Sequence, residues 1–211
     1  LITLYIGLEI LSIASYCLAG FRKNHVKSNE AAMKYVILGG VSSAFILYGM
    51  SFLYGLTGST NLLVIGHYMP QLFAEFTYLI IMSLLFMLVG FGFKISMVPF
   101  HMWAPDVYEG APTPITAFLT VVSKVAAFGI LLRVLAIGFG SIFGEWYFYF
   151  AVLAAATMII GNTIALTQTN VKRLMAYSGI AQAGYLLVPI AAALTWDITF
   201  SQILFYAVAY L

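Results

Sequence analysis

The sequence has few charged residues. They make up 8% of its 211 positions, with 9 Lys and Arg against 7 Asp and Glu, while 63% of the positions are hydrophobic. A soluble domain usually carries about a quarter charged residues. These proportions exclude a water-soluble enzyme and a disordered protein, and they exclude a nucleic-acid-binding protein because a basic surface is missing. The composition indicates an integral membrane protein in contact with the lipid bilayer.

Cysteine is also scarce. The single residue, Cys17, excludes a disulfide framework and a thiolate metal cluster. The sequence contains no His, Cys, Asp and Glu set with metal-ligand spacing, no glycine-rich phosphate loop and no nucleophile elbow. We therefore expect no metal, cofactor or redox centre in this chain.

The two ends of the sequence are apolar. Position 1 is Leu rather than Met, and no basic segment or small-residue cleavage site marks a signal peptide. The last apolar run is shorter than the roughly 20 residues that a membrane span needs. We expect the chain to be the middle of a longer protein.

Continuous apolar blocks predict helical spans, because the strands of a membrane barrel alternate over about 10 residues. Windows of about 19 residues predict six spans, at residues 1–21, 32–56, 76–103, 115–139, 146–166 and 176–194, and a seventh beginning near Thr199. A linker containing His67 and Pro70 is expected before the third span, and a loop containing Asp106 and Glu109 after it. The predicted fold is an all-α, polytopic transmembrane helix bundle of six spans and part of a seventh.

Basic residues cluster in two of the predicted loops. Arg22 and Lys23 follow the first span, and Lys172 and Arg173 follow the fifth, so the span count places both loops on one membrane face. The loops of the opposite face, residues 57–70 and 140–145, contain no Lys or Arg. The positive-inside rule predicts that the basic loops lie on the cytoplasmic side, or on its equivalent in an organelle.

Among the ionisable residues inside predicted spans, four are candidates for a functional role: Glu9, Lys34, Lys94 and Lys124. A charge at mid-bilayer costs roughly 2.5–3.5 kcal/mol, so each needs a partner or a hydrated cavity. Snorkelling or a static ion pair is the alternative, above all for Lys34, which is near the polar loop. Buried lysine and glutamate side chains are able to exchange protons near neutral pH, which suits them to a proton relay.

The third predicted span contains a proline close to its lysine. Pro99 cannot donate a hydrogen bond to the preceding turn, and Gly90 and Gly92 lower the helix propensity before Lys94. We expect residues 96–99 to depart from regular α-helix beside Lys94, as broken helices of transporters do; a simple proline kink is the alternative. His101 lies two turns after Lys94 and would share its face if the helical register continued, either as a relay residue or as a packing histidine.

The segment around this proline resembles a known family. Gly90-Phe-Gly-Phe-Lys94, Val-Pro99-Phe-His101-Met-Trp103 and Asp106-Val-Tyr-Glu-Gly-Ala-Pro are similar to the antiporter-like membrane subunits of respiratory complex I, also called NADH-quinone oxidoreductase. The last of these is most similar to the branch called subunit N, or subunit 2 in mitochondria. The resemblance extends over the whole chain, from Tyr5-Ile-Gly-Leu-Glu9 to Gln168-Thr-Asn-Val-Lys172.

The resemblance implies a fold of inverted helical repeats. Residues 1–211 would form a single membrane domain, with about 1–139 the end of the first repeat and 140–211 the start of the second. The resemblance also implies that Glu9, Lys94 and Lys124 take part in the family's proton relay and that Lys34 corresponds to a further lysine. The resemblance further implies that the protein is located in a bacterial cell membrane, or otherwise in a mitochondrial inner or thylakoid membrane.

The implied activity is proton translocation coupled to quinone reduction, as a subunit of a proton-pumping enzyme. Its partners would be the other membrane subunits of complex I, and NADH, FMN, iron–sulfur clusters and quinone would be bound by other subunits. Two alternatives remain: a subunit of a multisubunit Na+/H+ antiporter or membrane-bound hydrogenase, and a membrane scaffold that transports nothing.

Overall fold

The computed structural model describes residues 1–192 and 195–210, and helices account for most of them. The α-helices are α1 (Ile2–Ala19), α2 (Val26–Thr57), α3 (Leu62–Ile95), α4 (Trp103–Gly110), α5 (Thr113–Arg133), α6 (Phe143–Ala165), α7 (Val171–Ala191) and α8 (Trp196–Tyr210). A π-helical turn, Val134–Gly138, follows α5, and a 3₁₀ turn, Gly140–Ile142, precedes α6. No strand occurs in these ranges, which confirms the all-α prediction.

Six helices are long and apolar enough to cross a membrane: α1, α2, α3, α5 with its π-helical turn, α6 and α7. They correspond one for one to the six predicted spans. The predicted seventh span corresponds to α8, and the predicted end of the sixth span, residues 193–194, lies outside the described residues. The chain is therefore a multi-pass membrane protein.

The predicted linker before the third span is wrong. Residues 62–75 are helical and belong to α3, because Asn61 caps the helix by accepting a 3.0 Å hydrogen bond from the Leu63 amide. Pro70 is tolerated inside α3, and the backbone leaves helical geometry at Phe76 (φ −122°, ψ 41°). A single proline thus accompanies a kink here instead of ending the helix.

The predicted loop containing Asp106 and Glu109 is also wrong, because both residues lie on helix α4. Pro105 stands in the first turn of α4, where a missing backbone donor costs nothing. Asp106 is in the same turn, where a carboxylate is favoured by the helix dipole. The same residues that suggested a loop are thus compatible with the start of a short helix.

Small residues permit the closest helix contacts. A Cβ at Gly39 of α2 would overlap the ring of Tyr16 on α1, and one at Gly90 of α3 would overlap Ile46 on α2. A Cβ at Gly184 of α7 would lie 2.7 Å from the Met158 side chain of α6. Close approach at small residues is how helices pack in lipid, where no hydrophobic force drives them together.

Both basic segments lie at one end of the bundle. Lys27, at the start of α2, and Arg173, at the start of α7, both contact Glu109 of α4, at 2.6 and 3.2 Å. The prediction that these segments share one face is confirmed for the fold. The cytoplasmic orientation of that face stays a prediction.

Candidate functional site

Helices α1, α2 and α3 bring Glu9 and Lys94 together in the bundle interior. Lys94 Nζ lies 3.4 Å from Glu9 Oε1 and donates a 2.5 Å hydrogen bond to Ser12 Oγ. Ser43 Oγ of α2 donates a 2.6 Å hydrogen bond to the same Glu9 oxygen. Lys94 is only 8% exposed. These four residues form what we call the acid–lysine cluster.

An aromatic stack covers the acid–lysine cluster on one side. Lys94 Nζ lies 5.9 Å from the ring centroid of Tyr16, within the range of a cation–π contact. Tyr16 packs edge-on against Tyr35, and Tyr35 stacks on Trp103 at the start of α4. The lysine is therefore in contact, through packed rings, with the segment that follows the helix break.

The helix break lies directly after Lys94. Helix α3 ends at Ile95, and Ser96 takes the left-handed conformation (φ 60°, ψ 39°). The Met97 amide donates to the Gly92 carbonyl at 2.7 Å and the Ser96 amide donates to the Phe93 carbonyl at 3.1 Å, which is the Schellman pattern of a helix end. The chain becomes α-helical again only at Trp103. This confirms that residues 96–99 depart from regular α-helix beside Lys94.

Side chains satisfy the backbone groups that the break sets free. Trp103 Nε1 donates to the Phe93 carbonyl at 2.9 Å, and the Val98 amide donates to Thr157 Oγ1 of α6 at 3.1 Å. The Val98–Pro99 peptide bond is cis. Broken helices occur inside membranes where protein groups take over in this way.

Gly90 and Gly92 also have a role in packing. Both residues are helical and belong to α3, which continues to Ile95. A Cβ at Gly92 would lie 2.7 Å from the Met97 side chain and 2.8 Å from Phe100, so this glycine makes room for the folded-back break. The structure thus gives these glycines a packing role, and their effect on helix propensity stays a prediction.

Lys124 lies in the middle of α5 and is 3% exposed. Its Nζ donates a 2.8 Å hydrogen bond to the backbone carbonyl of Gly179 on α7 and lies 5.9 Å from the centroid of the Tyr108 ring. Among the described residues it forms no ion pair. Lys124 and Lys94 are thus both buried, but only Lys94 has a carboxylate partner.

Lys34 has a different environment from the other two lysines. Its Nζ lies 2.7 Å from Glu30 and 2.6 Å from Asp106, and its side chain is 41% exposed. It makes no hydrogen bond or ion pair with Glu9 or Lys94 in the described part of the chain. The structure therefore places Lys34 in an ion-pair cluster, in agreement with the static alternative.

That cluster ties α4 to α2 and α7. It consists of Lys27, Glu30, Lys34, Asp106, Glu109 and Arg173, which line a cavity of about 190 Å³, and we call it the ionic cluster. Arg173 lies 2.7 Å from Asp106 and 3.2 Å from Glu109. Burial alone would raise the pKa of Asp106, but hydrogen bonds from Lys34 and Arg173 hold it below its ordinary value. A hydrogen bond from Lys27, against the effect of burial, lowers the pKa of Glu109.

His101 lies in the non-helical segment between α3 and α4. The argument that it shares a helical face with Lys94 is wrong, because residues 96–102 do not continue the helical register. Its buried Nδ1 has no hydrogen-bond partner among the described residues, and the same is true of Ser96 Oγ and Tyr16 Oη. Three such atoms around one break are unusual, since buried polar atoms normally have partners.

Sequence reasoning missed Ser12, Ser43 and Gly179. Ser12 stands three residues after Glu9, and this spacing alone places it on the face of α1 that carries the glutamate. Ser43 gives no comparable signal, because its contact depends on how α2 packs against α1. Gly179 gives no signal as the partner of Lys124, because that contact depends on how α7 packs against α5.

The fold and the site define a class of protein. A multi-pass helix bundle with a broken helix beside a buried acid–lysine pair, and a second buried lysine, has the architecture found in membrane transporters. More specifically, the chain belongs to the family described as "NADH:quinone oxidoreductase/Mrp antiporter, TM", which it matches over residues 1–211.

Relatives of known name agree with this assignment. The chain is 54% identical to the NADH-quinone oxidoreductase subunit N of Geobacillus sp. (strain WCH70), over 100% of this chain and 45% of that protein. A chain of respiratory complex I from Thermus thermophilus is similar at 38% identity and a TM-score of 0.76, covering 97% of this chain and 43% of that one. A chain of the Mrp complex from Dietzia sp. shares the fold, with a TM-score of 0.77 at 24% identity, over 89% and 34% of the two chains. The chain thus spans less than half the length of each.

Proposed function

We propose that this chain is part of a proton-translocating membrane subunit of an NADH-quinone oxidoreductase, coupling quinone reduction to proton transfer. The observation that carries the proposal is the contact of Glu9 with Lys94 beside the helix break, 3.4 Å between Oε1 and Nζ. The similarity to proteins named subunit N supports the choice of complex. The partners would be other membrane subunits of the complex, and NADH, FMN, iron–sulfur clusters and quinone would be bound by other subunits.

The proposed step is a charge exchange between Glu9 and Lys94. While Glu9 is ionised, it stabilises the protonated amine of Lys94, and Ser12 and Ser43 hold the two groups in place. When Glu9 gains a proton or moves away, the buried ammonium loses its counter-ion and burial favours the neutral amine. Lys94 then releases its proton towards Lys124. Each tenfold change in proton affinity corresponds to about 1.4 kcal/mol.

The break is the proposed connection from Lys94 to the cytoplasmic face. Ser96, Tyr16 and His101 each have a buried polar atom free to bind water in this region. His101 would then continue the relay in that direction. Lys34 belongs to the ionic cluster through its ion pairs with Glu30 and Asp106. The proposal therefore gives it no step in proton transfer.

The proposed repeat boundary lies near residue 139. It falls at the π-helical turn Val134–Gly138, between α5, which carries Lys124, and α6. Residues 1–139 would then be the end of the first repeat and residues 140–211 the start of the second. Lys124 contacts the second part through the Gly179 carbonyl, so the two proposed parts meet at this lysine.

The test uses the intact complex in sealed membrane vesicles. Lys94→Ala and Lys124→Ala should each abolish most of the NADH-driven proton uptake, while electron transfer from NADH to an artificial acceptor stays near the wild-type rate. Lys23→Ala is the matched control, since Lys23 is exposed in the loop after α1. Lys172 is a poorer control than its position suggests, because its Nζ donates to the Ala111 carbonyl at 2.7 Å.

Two other outcomes would decide for the alternatives. Normal proton uptake by both lysine variants would refute the relay and support a scaffold. Uptake that requires Na+ and collapses when K+ replaces it would support a Na+/H+ antiporter.

A further inference from the structure

We propose that Gly179 of α7 is a positioning residue for Lys124. Its backbone carbonyl holds the ammonium group, and its missing side chain is what lets the ammonium reach that carbonyl. The proposal rests on the proposed function, in which Lys124 carries protons. To that function it adds a role for Gly179, which fixes the position of the Lys124 amine.

The Lys124 amine lies directly against Gly179. Lys124 Nζ donates to the Gly179 carbonyl at 2.8 Å, and a Cβ at position 179 would lie 3.0 Å from that nitrogen. The same Cβ would lie 3.3 Å from Tyr210 Oη of α8. Both contacts are tighter than most Cβ contacts in folded proteins, so a methyl group here would push the lysine amine or the Tyr210 hydroxyl away by a few tenths of an ångström.

The carbonyl is an unusual partner for a buried ammonium. Lys94 is paired with a carboxylate, whereas Lys124 forms no ion pair among the described residues. A carbonyl oxygen accepts a hydrogen bond from the protonated amine but cannot take its proton at neutral pH, so it holds the amine without competing for the proton. The titratable groups that face Lys124 from neighbouring helices are the phenols Tyr108 of α4 and Tyr210 of α8.

This arrangement makes the position of α7 matter for the charge on Lys124. The hydrogen bond exists only while α5 and α7 stay in their present register. A shift of α7 would remove the acceptor and leave the ammonium unsatisfied, which favours loss of the proton. Gly179 thereby links the protonation of Lys124 to the packing of the second part of the chain.

The test compares two glycines of this region in the intact complex. Gly179→Ala adds a methyl group against Lys124 Nζ, whereas Gly129→Ala, on the helix that carries Lys124, adds one in open space. We expect Gly179→Ala to lower NADH-driven proton uptake about tenfold, the effect of losing a hydrogen bond to a charged group. The alkaline limb of its pH profile should move to lower pH. Gly129→Ala should change neither quantity.

The outcomes separate this proposal from the function on which it rests. If Gly179→Ala matches Gly129→Ala in uptake and in pH profile while Lys124→Ala loses uptake, the positioning role is refuted and the proposed function stands. If Lys124→Ala pumps normally, the proposed function itself fails. Should Gly179→Ala prevent assembly, the double variant with Lys124→Ala decides. Assembly restored by removal of the amine supports the contact, and assembly still lost overturns it.

Discussion

Lys94 of α3 and Glu9 of α1 meet in the bundle interior with 3.4 Å between Nζ and Oε1, although 85 positions separate them in the sequence. Two serine hydroxyls complete the contact, one on each charged group. Removing one member of such a pair leaves the other charge buried and unpaired, which is far more costly than removing both. The pair is therefore expected to behave as one unit in function and in stability.

The packing of Tyr16 above Lys94 leads to a prediction about stability. Tyr16 fits because position 39 of α2 is glycine, and a Cβ there would overlap its ring. We expect Gly39→Ala to destabilise the protein by about 1–3 kcal/mol, the usual cost of overpacking. The measurement is the thermal unfolding midpoint of the purified complex in detergent.

The neighbouring glycine provides the control for this prediction. A Cβ at Gly40 meets nothing within 4 Å, so Gly40→Ala should leave the midpoint unchanged or raise it slightly through helix propensity. Equal midpoints for the two alanine variants would show that the packing of Tyr16 does not require glycine at position 39.

The ionic cluster predicts how stability depends on pH. The pKa values of Asp106 and Glu109 are held below their ordinary values in the folded protein, with burial opposing the ion pairs at both. Their contribution is thus fully present above the unfolded-state pKa of about 4 and is lost as the pH falls through the folded-state pKa. We expect Asp106→Asn to cost roughly 1 kcal/mol at neutral pH, a value discounted for solvent screening of half-exposed pairs.

Unfolding midpoints measured at several pH values check this. The difference between wild type and Asp106→Asn should begin to shrink below about pH 4, where the carboxylate of the unfolded chain takes up a proton, and should vanish only below the lowered folded-state pKa of Asp106. Glu30→Gln provides the comparison within the same cluster and should have a smaller effect, since Glu30 is 56% exposed and its one ion pair among the described residues is with Lys34. A difference that stays constant with pH would contradict the role given to the Asp106 charge.

The arrangement of the loops predicts a labelling pattern. In a Cys17→Ser background, the single variants Lys23→Cys and Thr169→Cys should react with an impermeant thiol reagent from the same side of the membrane. A cysteine at Ser141 should react from the other side. Reaction of the first two from opposite sides would refute the span count, even though their segments lie at one end of the bundle.

Much of the architecture could be predicted from the sequence. The number of membrane-length helices follows from continuous apolar blocks, since the backbone in lipid is satisfied only in helices or closed barrels, and barrel strands alternate instead. The break beside Lys94 follows from Pro99, and the shared end of the basic loops follows from the span count. These features are set by local composition, and the structure confirms all three.

The contacts of the site could not be predicted in the same way. Pro70 and Pro105 are both compatible with helix, so proline alone did not show where helices end. Lys34 and Lys94 are both lysines within apolar sequence, yet one reaches Asp106 and the other Glu9. Which partner each finds depends on how α1, α2 and α4 pack, and hydrophobic periodicity contains no information on that packing.

A double-mutant cycle on Glu9 and Lys94 tests the central claim most directly. NADH-driven proton uptake is measured in sealed vesicles for Glu9→Gln, Lys94→Met and the double variant, each normalised to electron transfer to an artificial acceptor. If the two residues act as one relay unit, the double variant should pump no worse than the poorer single variant. Losses that multiply in the double variant, or normal uptake by either single variant, would contradict the account.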